Sequence, residues 1–180
     1  AIDAERHTLS NASRRELRAV RQHYLRFRAP GTWVAQSASG FHTDRTLGFG
    51  EHEGFRNGAC HPFLAFDLDA RRTLPLWEVP LHVMDGTLQQ YRGFDAAAAG
   101  TRIGELRDVV ANQYGVYTVL VHNIISDKHD YPGWDAIFAS LAETGRASSV
   151  YCATVSEVID AWVRSAGYSS PEEVQKIVAP

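Results

Sequence analysis

The sequence predicts an α/β domain, and three observations carry that reading. From residue 20 onward, strand-like apolar runs alternate with helix-like apolar stripes, a rhythm that argues for a parallel sheet or barrel. Several of those runs close on polar side chains, at Arg21 or His23, at Asp44 and at His122, where α/β folds gather their working residues. The chain has 180 residues, 44% of them hydrophobic, which suffices to bury one full core, so a single domain over 1–180 is expected.

The elements follow in order. "RRELRAV" predicts a first helix, with Ser10, Asn11 or Ser13 available as its cap. "VRQHYLRF", Val20 to Phe27, alternates apolar with basic residues and reads as a strand that would place Arg21 and His23 on one face. "APGTWVAQSASG" predicts a turn at Pro30-Gly31, a short helix, and Gly40 just past its end. "FHTDRTLGF" reads as a short strand that leads into the Gly-rich "GFGEHEGFRNGACHPF". "TLPLWEVPLHVMDGTL" is rich in β-formers, but Pro75 and Pro80 assign it to a sheet margin or to irregular extended structure. Asp95 to Asn112 is a helix capped by Asp95, with Ile103, Leu106, Val109 and Val110 as its apolar stripe. "VYTVLV", Val116 to Val121, is a buried strand that ends on His122 and Asn123. Helices over Trp134 to Glu143 and Val155 to Arg164 flank a short strand, "SSVYCA". "SSPEEVQKI" closes the chain with Ser170 as cap and Pro171 in the first helical position.

Bulk properties exclude several classes. A net charge of -3 offers no basic field for nucleic acid or an anionic membrane surface. Cys60 and Cys152 lie far apart and form no CxxC or Cys/His zinc spacing, which leaves a reduced compartment as the default. No apolar run approaches the ~20 residues that span a bilayer. The polar N-terminus is no secretory signal, so the compartment stays open between cytoplasm and cell envelope. The chain begins without Met and is read as processed or as a piece of a longer product. Basic charge is almost all Arg, with Lys128 and Lys176 the two lysines, as a GC-rich genome would produce. Gly-x-Ser-x-Gly, P-loop and GxGxxG patterns are all missing, which removes support for serine hydrolase, nucleotide and dinucleotide readings.

His122 heads the candidate residues, because imidazole titrates near neutrality and a rigid strand would fix its ring. The bland alternative is a strand-end ring capping a carbonyl. Asp44 is a turn former or a carboxylate that tunes a His. Arg21 is a surface arginine or, inside a sheet, one that needs a carboxylate partner. Glu51, His52, Glu53 and His61 are a solvated Gly-hinged loop or a metal site of unfamiliar spacing. Trp77 is core or a sugar-stacking platform. His7, His42, His82 and His129 read as loop or surface histidines.

Together, "VRQHYLRFRAPGTW", "SGFHTDRTLGFGEHEGFRNGACHPF", "LWEVPLHVMDGTL" and "VYTVLVHN" resemble the C-terminal half of polysaccharide deacetylase-like proteins of the NodB-homology class, over most of residues 18 to 165. The most specific element is the aromatic-x-x-Asp-Ser/Thr pattern followed by Gly-Phe-Arg, matched by "GFHTDRTLGF" with Arg45 at a usual serine. The resemblance implies a distorted (β/α) barrel with a divalent metal, zinc first among the expectations, at the strand ends. There the metal polarises an acetamide carbonyl and activates water. An Asp base is held by an arginine, which Arg21 matches. A late-strand His protonates the leaving amine, which His122 matches, and Asp44 would tune that His. The family's Asp-Asp and His-x-x-x-His elements, which supply base and metal ligands, normally precede the arginine strand and have no counterpart in "AIDAERHTLS". Three explanations stay open: a fragment of a longer enzyme, a barrel completed by a second copy or chain, or a catalytically inert domain.

The resemblance therefore implies a hydrolase that deacetylates, or cleaves related C–N bonds in, a carbohydrate. His122, Arg21 and Asp44 would be its catalytic residues, and Trp33, Trp77 and His23 its contacts to substrate. The alternative is an inactive carbohydrate-binding or scaffolding module on the same fold, with Trp33 and Trp77 holding the glycan. A half-barrel would expose sheet edges, so a homo-oligomer or a complementing chain is expected.

Overall fold

The computed structural model describes residues 2–146 and 149–178. It is a mixed α/β structure with more helix than strand, and no closed barrel is present among the described residues. The chain divides into two compact units, residues 1–47, 62–79 and 154–180, and residues 48–61 and 80–153.

The first unit holds a four-stranded sheet in the order β1-β2-β4-β3. β1 is Ala19–Val20, β2 Thr43–Asp44, β3 Phe63–Asp67 and β4 Arg72–Glu78. β1, β2 and β4 run parallel, and β3 is antiparallel to β4. Pro75 lies inside β4, a correction to the margin expected for it, and the reason is local. It falls opposite the irregularity between Leu64 and Phe66 on one side, and past the end of two-residue β2 on the other, so no ladder partner demands its missing N–H. Helix α1, Ile2–Ser13, precedes the sequence expected for it, and Arg14 at φ 54° ends it. α2, Gly31–Ala38, ends as expected before Gly40 at φ 78°. Its Trp33 packs with Phe41, Leu47, Ala65, Leu74 and Leu76 into one core, each large side chain there gaining about 1.5–3 kcal/mol by leaving water. α5, Val155–Ser165, carries a Thr154/Glu157 capping box and buries Ile159 and Val163, and α6 spans Pro171–Val178.

The strand expected over Val20 to Phe27 stops at Val20. Its partner β2 offers only two residues of ladder, and the chain turns into a 3-10 turn, His23–Leu25. Tyr24 and Leu25 there adopt φ 57° and 49°, left-handed values that cost about 1–2 kcal/mol per non-glycine residue.

In the second unit, β5, Val83–Met84, pairs in parallel with β6, Val119–Leu120, which lies within the expected Val116 to Val121 strand. α3, Ala96–Asn112, is capped by the Asp95 carboxylate, which accepts from the Ala98 N–H at 2.8 Å. It buries Ile103, Leu106 and Val110 but leaves Val109 half exposed, because 109 falls outside the packed stripe. α4 is Trp134–Thr144. Val83, Leu88, Ala99, Leu106, Ile125 and Trp134 make this unit's core. The Gly-rich loop is tied down rather than hinged. Gly54 donates to the His82 carbonyl at 2.8 Å, and Val116 donates to the Cys60 carbonyl at 2.8 Å. Gly115 must stay small, since a Cβ there would lie 2.4 Å from the Cys60 sulfur and 3.0 Å from its carbonyl oxygen. The expected strand "SSVYCA" begins at Ser148, outside the described residues, and 149–153 form none. No helix among the described residues is long and apolar enough to cross a membrane.

Candidate functional site

Parallel pairing brings two chain segments to the same level and releases both at one edge. In the second unit Met84 and Leu120 are register partners, so β5 delivers Asp85 and β6 delivers His122 side by side. The Asp85 carboxylate is almost wholly buried, while half of the His122 side chain is exposed. Asp85 grips His122 twice. Its Oδ2 accepts the His122 backbone N–H at 2.6 Å, and its Oδ1 accepts from ring Nδ1, also at 2.6 Å. Oδ1 also accepts the Gly86 N–H at 2.7 Å, which fixes the carboxylate from the other side. A carboxylate can only accept, so Nδ1 carries the proton and Nε2 is the working nitrogen. Nε2 makes no hydrogen bond among the described residues. The arrangement is a dry carboxylate that aims and electrostatically supports an imidazole whose far edge meets solvent, the pairing that general acid–base chemistry requires.

His82, two positions before Met84, serves structure instead. It lies outside the strands, as a loop histidine would, but only 2% of it is exposed, which overturns the surface alternative. Its Nδ1 accepts the Thr118 N–H at 3.2 Å, and its ring lies between Phe55 and Tyr117. Burial pushes its pKa down to about 4, so it stays neutral. Glu53 is likewise structural: its buried carboxylate accepts from Arg102 Nε at 2.7 Å and faces Arg92 Nε at 3.5 Å. That spends the central residue of the Glu51, His52, Glu53 and His61 group on an arginine clamp. Among the described residues no three His, Cys, Asp or Glu side chains converge as a metal would need.

In the first unit Asp44 and Glu78 are register partners on β2 and β4, and both are fully buried. Asp44 Oδ1 accepts the Arg45 N–H at 2.9 Å and the Thr46 hydroxyl at 2.5 Å. Glu78 accepts from Trp33 Nε1 at 2.8 Å and from the Leu47 N–H at 3.1 Å. Burial, and then the neighbouring Asp44 charge, push Glu78 up to about 9. Burial likewise raises Asp44. Arg21 Nε donates to the Arg45 carbonyl at 3.0 Å. Burial and the adjacent Arg45 lower Arg21 to about 10, against the opposing pull of Asp44 and Glu78. Arg21 lies just past the end of β1, and its charge is met at longer range by Asp44 and Glu78 rather than by an ion pair.

The structure thus unites His122 with a carboxylate, but with Asp85 rather than Asp44, which is engaged within the first unit. Trp33 and Trp77 are buried, so neither offers a ring face to a glycan, and both belong to the core. His23 is exposed beside Tyr24, with ring centroids 4.4 Å apart. Glu78 and Asp85 end the two halves of the extended segment "TLPLWEVPLHVMDGTL", but the sequence reading assigns neither a site role, though one signal exists. "PLHVMD" ends an apolar run on Asp much as "VYTVLVH" ends one on His, and two parallel strands that stop on polar residues bring those residues together. No family model, curated protein or solved structure matches this chain.

Proposed function

We propose that this chain provides the proton-donating part of a hydrolase that removes acetyl groups from a carbohydrate amide. The observation that carries the reading is the double grip of buried Asp85 on His122, which leaves Nε2 open to solvent. Protonated His122 is stabilised by Asp85 through Nδ1, and its Nε2–H delivers a proton to the amine nitrogen as the C–N bond breaks. Without that proton the leaving group would be an amide anion, far too basic to depart. The acyl carbon takes its new oxygen from water. A divalent metal that polarises the carbonyl, as the resemblance implies, would need further ligands, since no three His, Cys, Asp or Glu side chains converge among the described residues. The strand-end placement of both groups in parallel segments also supports the reading, as does the likeness of "VYTVLVHN" and "GFHTDRTLGF" to the deacetylase-like class.

The test is acetate release from an N-acetylated glucosamine oligomer. His122→Ala is expected to lower turnover by about 10²-fold or more, since general acid catalysis contributes on that scale. Equal turnover by the variant would remove His122 from the chemistry. Oligomer retention by the wild-type protein with no acetate released would favour the binding module instead.

A further inference from the structure

Within the first unit, α1 and the segment that leaves β1 enclose a half-open groove of about 590 Å³, within the usual range of small-ligand sites. Its lining is unusual in three ways. Arg6, Arg21 and Arg26 line it with Glu5 as the one acid of the lining, and since Arg6 reaches Glu16 at 4.0 Å the excess positive charge rests on Arg21 and Arg26. Arg21 is anchored through Nε to the Arg45 carbonyl, and neither it nor Arg26 forms an ion pair among the described residues. Their remaining N–H groups form a fork suited to a carboxylate or phosphate. Finally, Tyr24 and Leu25 are both held in the left-handed region, and the turn they make leaves the Tyr24 ring 81% exposed against His23 at the groove's edge. Consecutive strained residues that present an aromatic to solvent mark a recognition surface, since packing gains nothing from such a placement.

We propose that this groove binds an anionic sugar, its pyranose ring lying on Tyr24 and His23 and its carboxylate or phosphate on Arg21 and Arg26. A single open aromatic face suits the C–H face of a sugar ring, and the two arginines of the lining select the charged form. The site does not depend on the Asp85–His122 dyad, so it is tested by binding alone.

The experiment is an NMR titration of the protein with glucuronate, glucose 6-phosphate, glucose and adenosine 5′-monophosphate. Saturable shifts at Tyr24 and Arg26 are expected with at least one of the two anionic sugars, at least tenfold tighter than with glucose, and the tighter one identifies the anion. Arg26→Ala should weaken that binding about tenfold at unchanged melting temperature, Arg26 being exposed. Tyr24→Gly should weaken it as well while the protein melts no lower, because glycine adopts a φ of 57° freely. Glucose binding as tightly as its charged relatives, tighter binding of the nucleotide, absence of saturable binding, or wild-type affinity in both variants would overturn the proposal.

Discussion

Asp85→Asn is expected to lower turnover on an N-acetylated sugar by about 10²- to 10⁴-fold, with KM changed by no more than about threefold. The reason is tautomeric. An amide has one acceptor where the carboxylate has two, and Asp85 accepts from Nδ1, from the His122 N–H and from the Gly86 N–H. If the amide oxygen takes the backbone N–H of His122, the NH₂ group donates to Nδ1 and drives the ring proton to Nε2. If the amide oxygen stays on Nδ1, the NH₂ group opposes the His122 N–H. Either arrangement leaves a buried polar group badly paired, at about 1–3 kcal/mol, and removes the negative charge that supports the imidazolium. Substrate contacts are untouched, so the loss belongs in kcat. A variant with full turnover would show that Asp85 only shapes the strand end.

Asp44→Asn is expected to change how stability depends on pH. In the folded protein Glu78 titrates at about 9 and Asp44 above its usual value, because both are buried and the Asp44 charge also resists ionisation of Glu78. Unfolded, both titrate near 4. The folded state therefore holds more protons between about pH 4 and 9, so stability is complete below that window, falls as pH rises through it, and levels off above. Trp33, Thr46, the Arg45 and Leu47 N–H groups and the Arg21 guanidinium face the pair, and they lessen the fall without reversing it. The slope is about 1.4 kcal/mol per pH unit where one proton is at stake. The substituted amide keeps an oxygen for the Arg45 N–H and the Thr46 hydroxyl but brings no charge, so Glu78 ionises more easily and the profile flattens. Urea unfolding at pH 5 and pH 9 checks this: the variant should lose much less stability between the two than the wild type. Parallel profiles would mean that Asp44 does not act on Glu78.

Helices were legible where a cap and a stripe coincided, as in α3 with Asp95, since both signals are local. Strands were legible in place but not in extent. Val20 to Phe27 and Val116 to Val121 have the composition of six- to eight-residue strands, yet each pairs over two at most, because ladder length belongs to the partner segment and not to the residue itself. β3 went unread because "FLAFD" follows a Gly-rich loop and acquires its identity by pairing with β4. His122 was legible as a polar end to an apolar run. Its partner was not, because Asp44 and Asp85 both belong to short β segments or their ends, and only register decides which carboxylate meets the ring. Trp33 and Trp77 illustrate the same limit, since an indole in an α/β chain is equally at home in a core or on a surface until its neighbours are placed.

Proton delivery by His122 depends on the orientation of one imidazole. The most direct measurement is the ¹⁵N spectrum of the His122 ring in the folded protein, with the Asp85→Asn variant alongside. The expected result is an Nδ1 that holds its proton in both charge states of the ring, so that Nε2 is the nitrogen that gives up a proton, with the pattern inverted or averaged in the variant. A neutral wild-type ring with its proton on Nε2 and Nδ1 bare, or one exchanging freely between tautomers, would contradict the grip of Asp85 on Nδ1 and with it the proton-delivery role of His122.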